Sequence, residues 1–282
     1  MLIINGQQAN LDQREYANFH GTSVFTTMRS VGEDVLYFDR HWQRLSTHAA
    51  YFSFAMPEKK LLGEIITKEL KTKLCDQKIR IIVGPEHWAL SLEDAEVINP
   101  SIYAGVEICI SKFQPHPYLG KFKTSNSLPY ILASKEAKSQ GVFEALLLDD
   151  QGNICDGSRT SIMLYDGHTL SSVQGGLDGC MRQEVLVYAQ SLGVAVENIY
   201  IKPEEISGQL LLANSLIGVV PVGLAKNQLV QELVEFFRMD KRGVLGTAQK
   251  EKREKRKERE EREEREEREE REEREEREQS ER

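Results

Sequence analysis

The spacing of apolar residues alternates along the chain between a helical period and short runs rich in β-branched residues. The helical period predicts helices over residues 39–51, 58–70, 129–140, 179–192 and 228–237. The apolar runs predict strands over residues 2–5, 79–83, 106–110, 143–148, 161–165, 210–213 and 217–222. Because helices and strands alternate, we expect an α/β (α+β) fold.

Local signals refine these elements. Asp39 and Asp178 stand directly before helical patterns, where a carboxylate can accept hydrogen bonds from the first backbone N–H groups, so we expect both to cap helices. The β-branched content of 106–110 predicts a buried strand. The turn residues at 149–152 predict a hairpin that pairs 143–148 with 161–165.

The strongest break in the pattern is Gln-Pro-His-Pro-Tyr-Leu-Gly at residues 114–120. Two prolines and a glycine are typical of a linker. We therefore predict an N-terminal α/β domain over 1–113, a linker over 114–122 and a C-terminal α/β domain over 123–246. A charged extension follows over 247–282.

Charge separates this extension from the rest of the chain. It holds 14 basic and 17 acidic residues, a net charge of −3, which leaves −5 of the total of −8 for residues 1–246. A mildly acidic body argues against nucleic-acid binding. The extension repeats Glu-Glu-Arg without an apolar face, which indicates a solvated helix or a disordered tail and no coiled coil.

The remaining composition bounds the location and excludes several sites. Cys75, Cys109, Cys155 and Cys180 lack paired spacing, which favours reduced thiols in a cytoplasmic protein. The N-terminus resembles a first strand and not a signal peptide, and no apolar run is long enough to cross a membrane. The six histidines lack metal-ligand spacing, so no metal site is expected.

Several short segments together resemble the fold-type IV (class IV) pyridoxal-phosphate enzymes, and the resemblance covers residues 1–226. The family includes branched-chain aminotransferases, D-amino acid aminotransferases and aminodeoxychorismate lyases. The resemblance implies two α/β domains with pyridoxal 5′-phosphate between them, a small-molecule substrate and a homodimer. The segments are Gly-Thr-Ser-Val-Phe-Thr-Thr-Met-Arg at 21–29, His-Trp-Gln-Arg-Leu at 41–45, Lys-Thr-Ser-Asn at 123–126, Gly-Cys-Met-Arg at 179–182 and Asn-Ser at 214–215.

The cofactor needs an amine that bonds its aldehyde carbon, and the resemblance assigns this role to Lys123 in Lys-Thr-x-Asn. Once released, the same amine can move protons as a catalytic base. Lys121 lies two residues earlier and would share a face with Lys123 on a strand, so residue spacing alone leaves both open. The motif favours Lys123.

A phosphate site is expected from three places. Arg44 can donate two parallel hydrogen bonds to phosphate. Cys180 and Met181 lie in the first turn of a predicted helix, where unpaired N–H groups and the helix dipole attract anions. Ser215 holds the family's hydroxyl that reaches the phosphate. As alternatives, Arg44 is a helix-surface charge and Ser215 an ordinary loop serine.

The acid opposite the ring nitrogen would be Asp156, where the family usually has Glu. Asp is one methylene shorter, a deficit of roughly 1.5 Å. Ser161 and Ser127 also depart from the family's usual Asn and Tyr. These changes leave room for weakened or lost activity, and Asp156 could instead be a simple turn residue.

The segment Phe-Thr-Thr-Met-Arg at 25–29 resembles aminodeoxychorismate lyases, whereas branched-chain aminotransferases tend to have Phe-Glu-Gly-Ile-Arg. We therefore expect a lyase that converts 4-amino-4-deoxychorismate to 4-aminobenzoate and pyruvate in folate synthesis, with Thr26 and Lys123 as catalytic residues. Thr26 and Thr27 could instead only pack within a strand. The alternatives are a class IV aminotransferase acting on a branched-chain or D-amino acid, and a degenerate fold without catalysis.

Overall fold

The computed structural model describes residues 2–4, 6–8, 21–85 and 87–240. The charged extension predicted over 247–282 lies outside the described residues. No helix within the described ranges is long and apolar enough to cross a membrane. Cys75, Cys109, Cys155 and Cys180 are free thiols.

The first half of the chain forms a six-stranded antiparallel sheet with two helices. Its strands, in the order β2-β1-β6-β5-β3-β4, pair along their length. The strands are β1 (Leu2–Ile4), β2 (Gln7–Gln8), β3 (Val24–Val31), β4 (Asp34–Val35), β5 (Gln77–Val83) and β6 (Trp88–Asp94), and the helices are α1 (Phe38–Tyr51) and α2 (Lys59–Leu70).

Two smaller sheets form the second half. One is five-stranded, in the order β12-β11-β10-β13-β14, and the other is three-stranded, in the order β7-β8-β9. The strands are β7 (Ile108–Ile110), β8 (Glu144–Leu148), β9 (Ile154–Gly157), β10 (Ser161–Tyr165), β11 (Thr169–Val173), β12 (Ala195–Ile199), β13 (Gln209–Asn214) and β14 (Gly218–Pro221), and the helices are α3 (Leu128–Ser139), α4 (Cys180–Ser191) and α5 (Gln228–Phe237).

The apolar residues separate into two main cores. Leu62, Ile66 and Leu70 of α2 are buried against the first sheet, as their spacing predicts. The second core lies between the five-stranded sheet, α4 and α5, and it also includes Tyr103 and Val106 from before the predicted linker. The division into domains at 114–122 stays a prediction.

The chain segment around Lys123 contacts the first sheet at β3, and this contact positions the candidate site. Val24 of β3 forms an isolated antiparallel bridge with Thr124. On either side of it, Phe25 N donates to the Lys123 carbonyl at 2.8 Å, and Ser125 N donates to the Ser23 carbonyl at 2.8 Å. The segment around Lys123 is thereby attached to the edge of the strand that carries the threonine pair.

The predicted hairpin of 143–148 with 161–165 is wrong. β8 pairs antiparallel with β9, a strand that the sequence analysis did not predict, and β10 belongs to the other sheet between β11 and β13. The bend between β9 and β10 is held by Glu144, which accepts from Ser158 N at 3.0 Å and from Thr160 Oγ1 at 2.8 Å. The turn predicted at 149–152 is present, but it joins β8 to β9.

Two predicted helix caps are also wrong. The residue before α1 is Tyr37, in a left-handed conformation, and Asp39 lies inside the first turn, where it pairs with Lys59. The residue before α4 is Gly179, whereas Asp178 accepts from the Arg182 and Gln183 side chains. The strand predicted over 106–110 is shorter, β7, and it is half-buried to exposed because it lies at a sheet edge.

Candidate active site

Lys123 lies where its segment meets β3 and α1. Its backbone N–H donates to His48 Nδ1 at 3.2 Å, and its Nζ lies 4.9 Å from the centre of the Phe25 ring. Lys121 is exposed, and its Nζ lies over the rings of Tyr118 and Phe122. Of the two lysines that the residue spacing left open, only Lys123 is directed toward β3.

The environment of Lys123 favours a neutral amine. Burial and the positive charge of Arg44, in that order, lower the pKa of Lys123 to about 8, while Asp156 acts in the opposite direction. At pH 7 about one tenth of an amine with this pKa is neutral, far more than for an ordinary lysine, and the neutral form is the one that attacks an aldehyde.

One face of α1 supplies three basic side chains, because His41, Arg44 and His48 are spaced three and four residues apart. Arg44 Nη2 donates to Thr26 Oγ1 at 3.1 Å, and Nη1 donates to the Asp178 carbonyl at 3.1 Å. Within the described part of the chain, Arg44 Nε is buried and has no hydrogen-bond partner. The guanidinium therefore joins α1 to the start of α4 and retains an unused donor.

His41 is a site residue that the sequence analysis missed, because it was examined only for metal-ligand spacing. The ring is fully buried, and its Nδ1 lies 2.6 Å from Thr26 Oγ1. Its Nε2 lies 3.0 Å from Ser215 Oγ. Burial lowers the pKa of His41 well below 6.5, and the charges of Arg44 and Lys123 act in the same direction. The usable signal was the spacing His-x-x-Arg on a helix face.

The start of α4 is packed closely against the strand ends. Any side chain at Gly179 would collide with the Ser161 hydroxyl, and one at Gly176 would collide with the Cys155 carbonyl. Cys180 and Met181 are buried in the first turn, where backbone N–H groups have no intrahelical acceptor. The loop that contains Gly176 and Gly179, directly before α4, thus lies against β9 and β10.

Asp156 is buried on β9, behind this loop. Its carboxylate accepts from Leu177 N at 3.3 Å and from Gly157 N at 3.1 Å. Burial raises the pKa of Asp156 to about 7, although the charges of Arg182 and Lys123 oppose the change. Asp156 is therefore a strand residue with charged neighbours on two sides, and the alternative of a simple turn aspartate does not hold.

The two threonines of β3 face opposite ways, since side chains alternate along a strand. Thr26 is fully buried, and its hydroxyl contacts His41 and Arg44. Thr27 is half-buried and lies on the same face of β3 as Phe25, whose ring faces Lys123 Nζ. This geometry favours a positioning role for Thr26 over the predicted catalytic one.

The residues fit a phosphorylated aldehyde cofactor. At one end lie the unused Arg44 donor, the Ser215 hydroxyl and the open first turn of α4, which suit a phosphate. Arg44 lowers the pKa of His41, His48 and Lys123, so an anion placed beside it would relieve this repulsion. Lys123 would supply the amine, and pyridoxal 5′-phosphate would add an electron sink opposite the Asp156 carboxylate.

The structure thus connects the predicted residues from distant segments. Hydrogen bonds link Arg44, Thr26 and Ser215 through His41, and electrostatic interactions link Lys123 with Arg44 and Asp156. Their functional roles stay predictions.

Comparisons with known proteins agree with this fit. The family described as amino-transferase class IV matches residues 23–224. A solved structure provisionally named 4-amino-4-deoxychorismate lyase is 35% identical and superimposes with a TM-score of 0.77, covering 84% of this chain and 98% of that one.

Two curated relatives carry different activities in their names. A probable branched-chain-amino-acid aminotransferase of Thermotoga maritima is 26% identical over 212 residues, which span 71% of this chain and 76% of the relative. The aminodeoxychorismate lyase of Vibrio harveyi is 21% identical over 244 residues, which span 79% and 90%. The chain belongs to the amino-transferase class IV family and is a pyridoxal-phosphate-dependent enzyme of fold type IV.

Proposed function

We propose that this enzyme is an aminodeoxychorismate lyase, which converts 4-amino-4-deoxychorismate to 4-aminobenzoate and pyruvate in folate synthesis. The observation that carries the proposal is the threonine pair of β3, on the strand that runs beneath Lys123. The aminotransferase pattern would place Glu and Gly there. Two threonines leave this strand without that carboxylate, whose negative charge would disfavour a ring substrate with several oxygens.

Lys123 is the base in this proposal. Its amine, with a pKa of about 8, takes the proton from the ring carbon that bears the substrate nitrogen. The bond to the enolpyruvyl oxygen then breaks, and the leaving group takes up a proton to become pyruvate. The aromatic ring of the product makes the step favourable. Phe25, beneath the amine, excludes water from one side.

Arg44, Ser215 and the first turn of α4 would hold the phosphate, with Cys180 and Met181 contributing backbone N–H groups. Asp156 would face the ring nitrogen and keep it protonated. A homodimer in the cytoplasm remains part of the proposal, since the resemblance and the cysteine content imply both.

The second candidate is a class IV aminotransferase acting on a branched-chain or D-amino acid. It is favoured by the curated relative from Thermotoga maritima, whose name gives that activity on branched-chain amino acids. This enzyme would use the same Lys123 and Arg44 and would differ in the substrate pocket.

The deciding experiment is turnover of 4-amino-4-deoxychorismate by pure protein without any keto acid. A lyase regenerates its cofactor form in each cycle, so 4-aminobenzoate and pyruvate should appear in equal amounts over many turnovers. An aminotransferase stops after one half-reaction until a keto acid is supplied. Sustained amino exchange without 4-aminobenzoate would assign the aminotransferase, and inactivity in both assays the degenerate fold.

A further inference from the structure

We propose that His41 decides which groups donate and which accept in a buried hydrogen-bond chain. As a result, the Ser215 hydroxyl must donate its proton to an anion that can only accept, which is the phosphate monoester of the cofactor. His41 is a positioning residue in this role, because it acts through Ser215. The inference rests on the proposed phosphate site and adds how that site is oriented.

The chain begins at Arg44, whose guanidinium can only donate. Arg44 Nη2 lies 3.1 Å from Thr26 Oγ1, so the threonine oxygen accepts there. Thr26 is fully buried, and the other partner of its oxygen is His41 Nδ1, at 2.6 Å. The single hydrogen of the threonine hydroxyl therefore needs His41 Nδ1 as its acceptor, because a buried donor without a partner is costly.

This requirement fixes the tautomer of His41. If Nδ1 accepts, the ring is neutral and its proton is on Nε2. Neutrality agrees with the lowered pKa of the buried ring. Nε2 lies 3.0 Å from Ser215 Oγ and therefore donates to it.

The tautomer of His41 determines the hydrogen bonding of Ser215. Its oxygen accepts from His41, so its own hydrogen remains for a ligand. The side chain is half-buried and stands in a turn held by Asn214, whose Oδ1 accepts from Leu216 N at 2.9 Å and from Ile217 N at 3.0 Å. In the opposite tautomer, Ser215 would donate to the ring and present only lone pairs, which repel a phosphate.

The first test is independent of the cofactor. Full-length apoprotein labelled with ¹⁵N-histidine is examined by NMR at neutral pH, and the His41→Asn variant assigns the His41 signals. We expect a directly bonded proton on Nε2 and none on Nδ1. A proton on Nδ1 would overturn the inference, whatever the variants show.

The second test compares cofactor dissociation constants by absorbance titration. His41→Gln places an amide donor near Ser215 and should bind the cofactor within a few-fold of the wild type. His41→Asn keeps an acceptor near Thr26 but loses Ser215, so it should weaken binding about tenfold, as Ser215→Ala does. The double variant His41→Asn/Ser215→Ala should lose no more than either single variant.

Controls separate this inference from the phosphate site itself. His168→Asn alters an exposed histidine and should leave the dissociation constant unchanged. If Arg44→Ala weakens binding but Ser215→Ala and His41→Asn do not, the phosphate site stands and the role of His41 is wrong. If Arg44→Ala has no effect either, the phosphate site is wrong as well. Additive losses in the double variant would mean that His41 does not act through Ser215.

Discussion

The two ends of the candidate site are built differently. At the proposed phosphate end, side chains from three distant segments are connected by hydrogen bonds through His41, with Ser215 lying 174 residues from it in sequence. At the proposed ring-nitrogen end, Asp156 is held by two backbone N–H groups and by the charges around it. The first end is fixed by geometry, and the second depends on electrostatics.

This difference has a physical reason. The groups in the hydrogen-bond chain at the phosphate end keep their protonation states near neutral pH, because the Arg44 guanidinium stays charged and the buried His41 stays neutral. A buried carboxylate with a pKa of about 7, in contrast, changes its charge near neutral pH. We therefore expect changes at the phosphate end to act on cofactor affinity and changes at the ring end to act on turnover.

Lys123 lies between the two ends, and its removal should have the largest effect. Lys123→Ala should lower turnover by about 10²–10⁴-fold or more, because both the covalent attachment point and the base are lost. Borohydride reduction and peptide mapping of the wild type should label Lys123. Lys121→Ala is the matched control and should remain active; label on Lys121 would contradict the assignment.

The pH dependence of cofactor attachment should be the next largest effect. Only the neutral amine reacts, so the rate should rise roughly tenfold per pH unit below the Lys123 pKa of about 8 and level off above it. Stopped-flow absorbance of apoprotein mixed with cofactor measures this rate. A rate that continues to rise beyond pH 9.5 would mean that the amine has an ordinary lysine pKa.

Arg44→Ala tests the phosphate end. We expect the cofactor dissociation constant to rise roughly ten- to a hundredfold, since a charge-assisted contact is lost, with a much smaller effect on folding. Arg40→Ala is the control, because Arg40 lies on the same helix but pairs with Glu184. An equal loss of affinity in both variants would point to damage of α1 as a whole.

Asp156 tests the ring end. Asp156→Asn should lower turnover by about tenfold or more and change cofactor affinity less, because the carboxylate is the group that keeps a ring nitrogen protonated. Asp156→Glu restores the longer reach of the family and should maintain or raise turnover. Wild-type turnover in the Asn variant would show that this end does not need a charge.

Truncation after Leu245 should have the smallest effect, so the truncated protein serves as the reference for the changes in affinity and turnover at both ends of the site. The removed extension contains almost no apolar residues, so it can bury little surface against the core. We expect an unchanged melting temperature, cofactor affinity and turnover. A clear fall in any of the three would show that the extension contacts the folded part.

Local sequence signals predicted a helix well where a single apolar face at helical spacing defines it. The helix predicted over 228–237 coincides with α5, because Val230, Leu233, Val234 and Phe237 form a buried face at helical spacing. The resemblance of short segments to the class IV family also indicated Lys123, Arg44 and Ser215. These are properties of short segments, which a sequence contains directly.

Strand partners and side-chain directions could only come from the tertiary structure. β8 and β10 are both apolar, so the sequence pattern did not show that β8 pairs with β9 and not with β10. Nor did it show that Glu144 holds the bend between β9 and β10. Likewise, Thr26 and Thr27 are equivalent in sequence until the pairing of β3 turns Thr26 toward α1 and Thr27 to the opposite face, which carries Phe25.

The sequence by itself determined the family, the cofactor chemistry, the helix positions and half of the described strands, because each depends on residues close together in the chain. The tertiary structure decided which groups meet. His41 lies in a segment that resembles the family, but its role becomes visible only because folding places Thr26 on one side of its ring and Ser215 on the other. Contacts over such separations depend on how the sheets and helices pack, which no local pattern records.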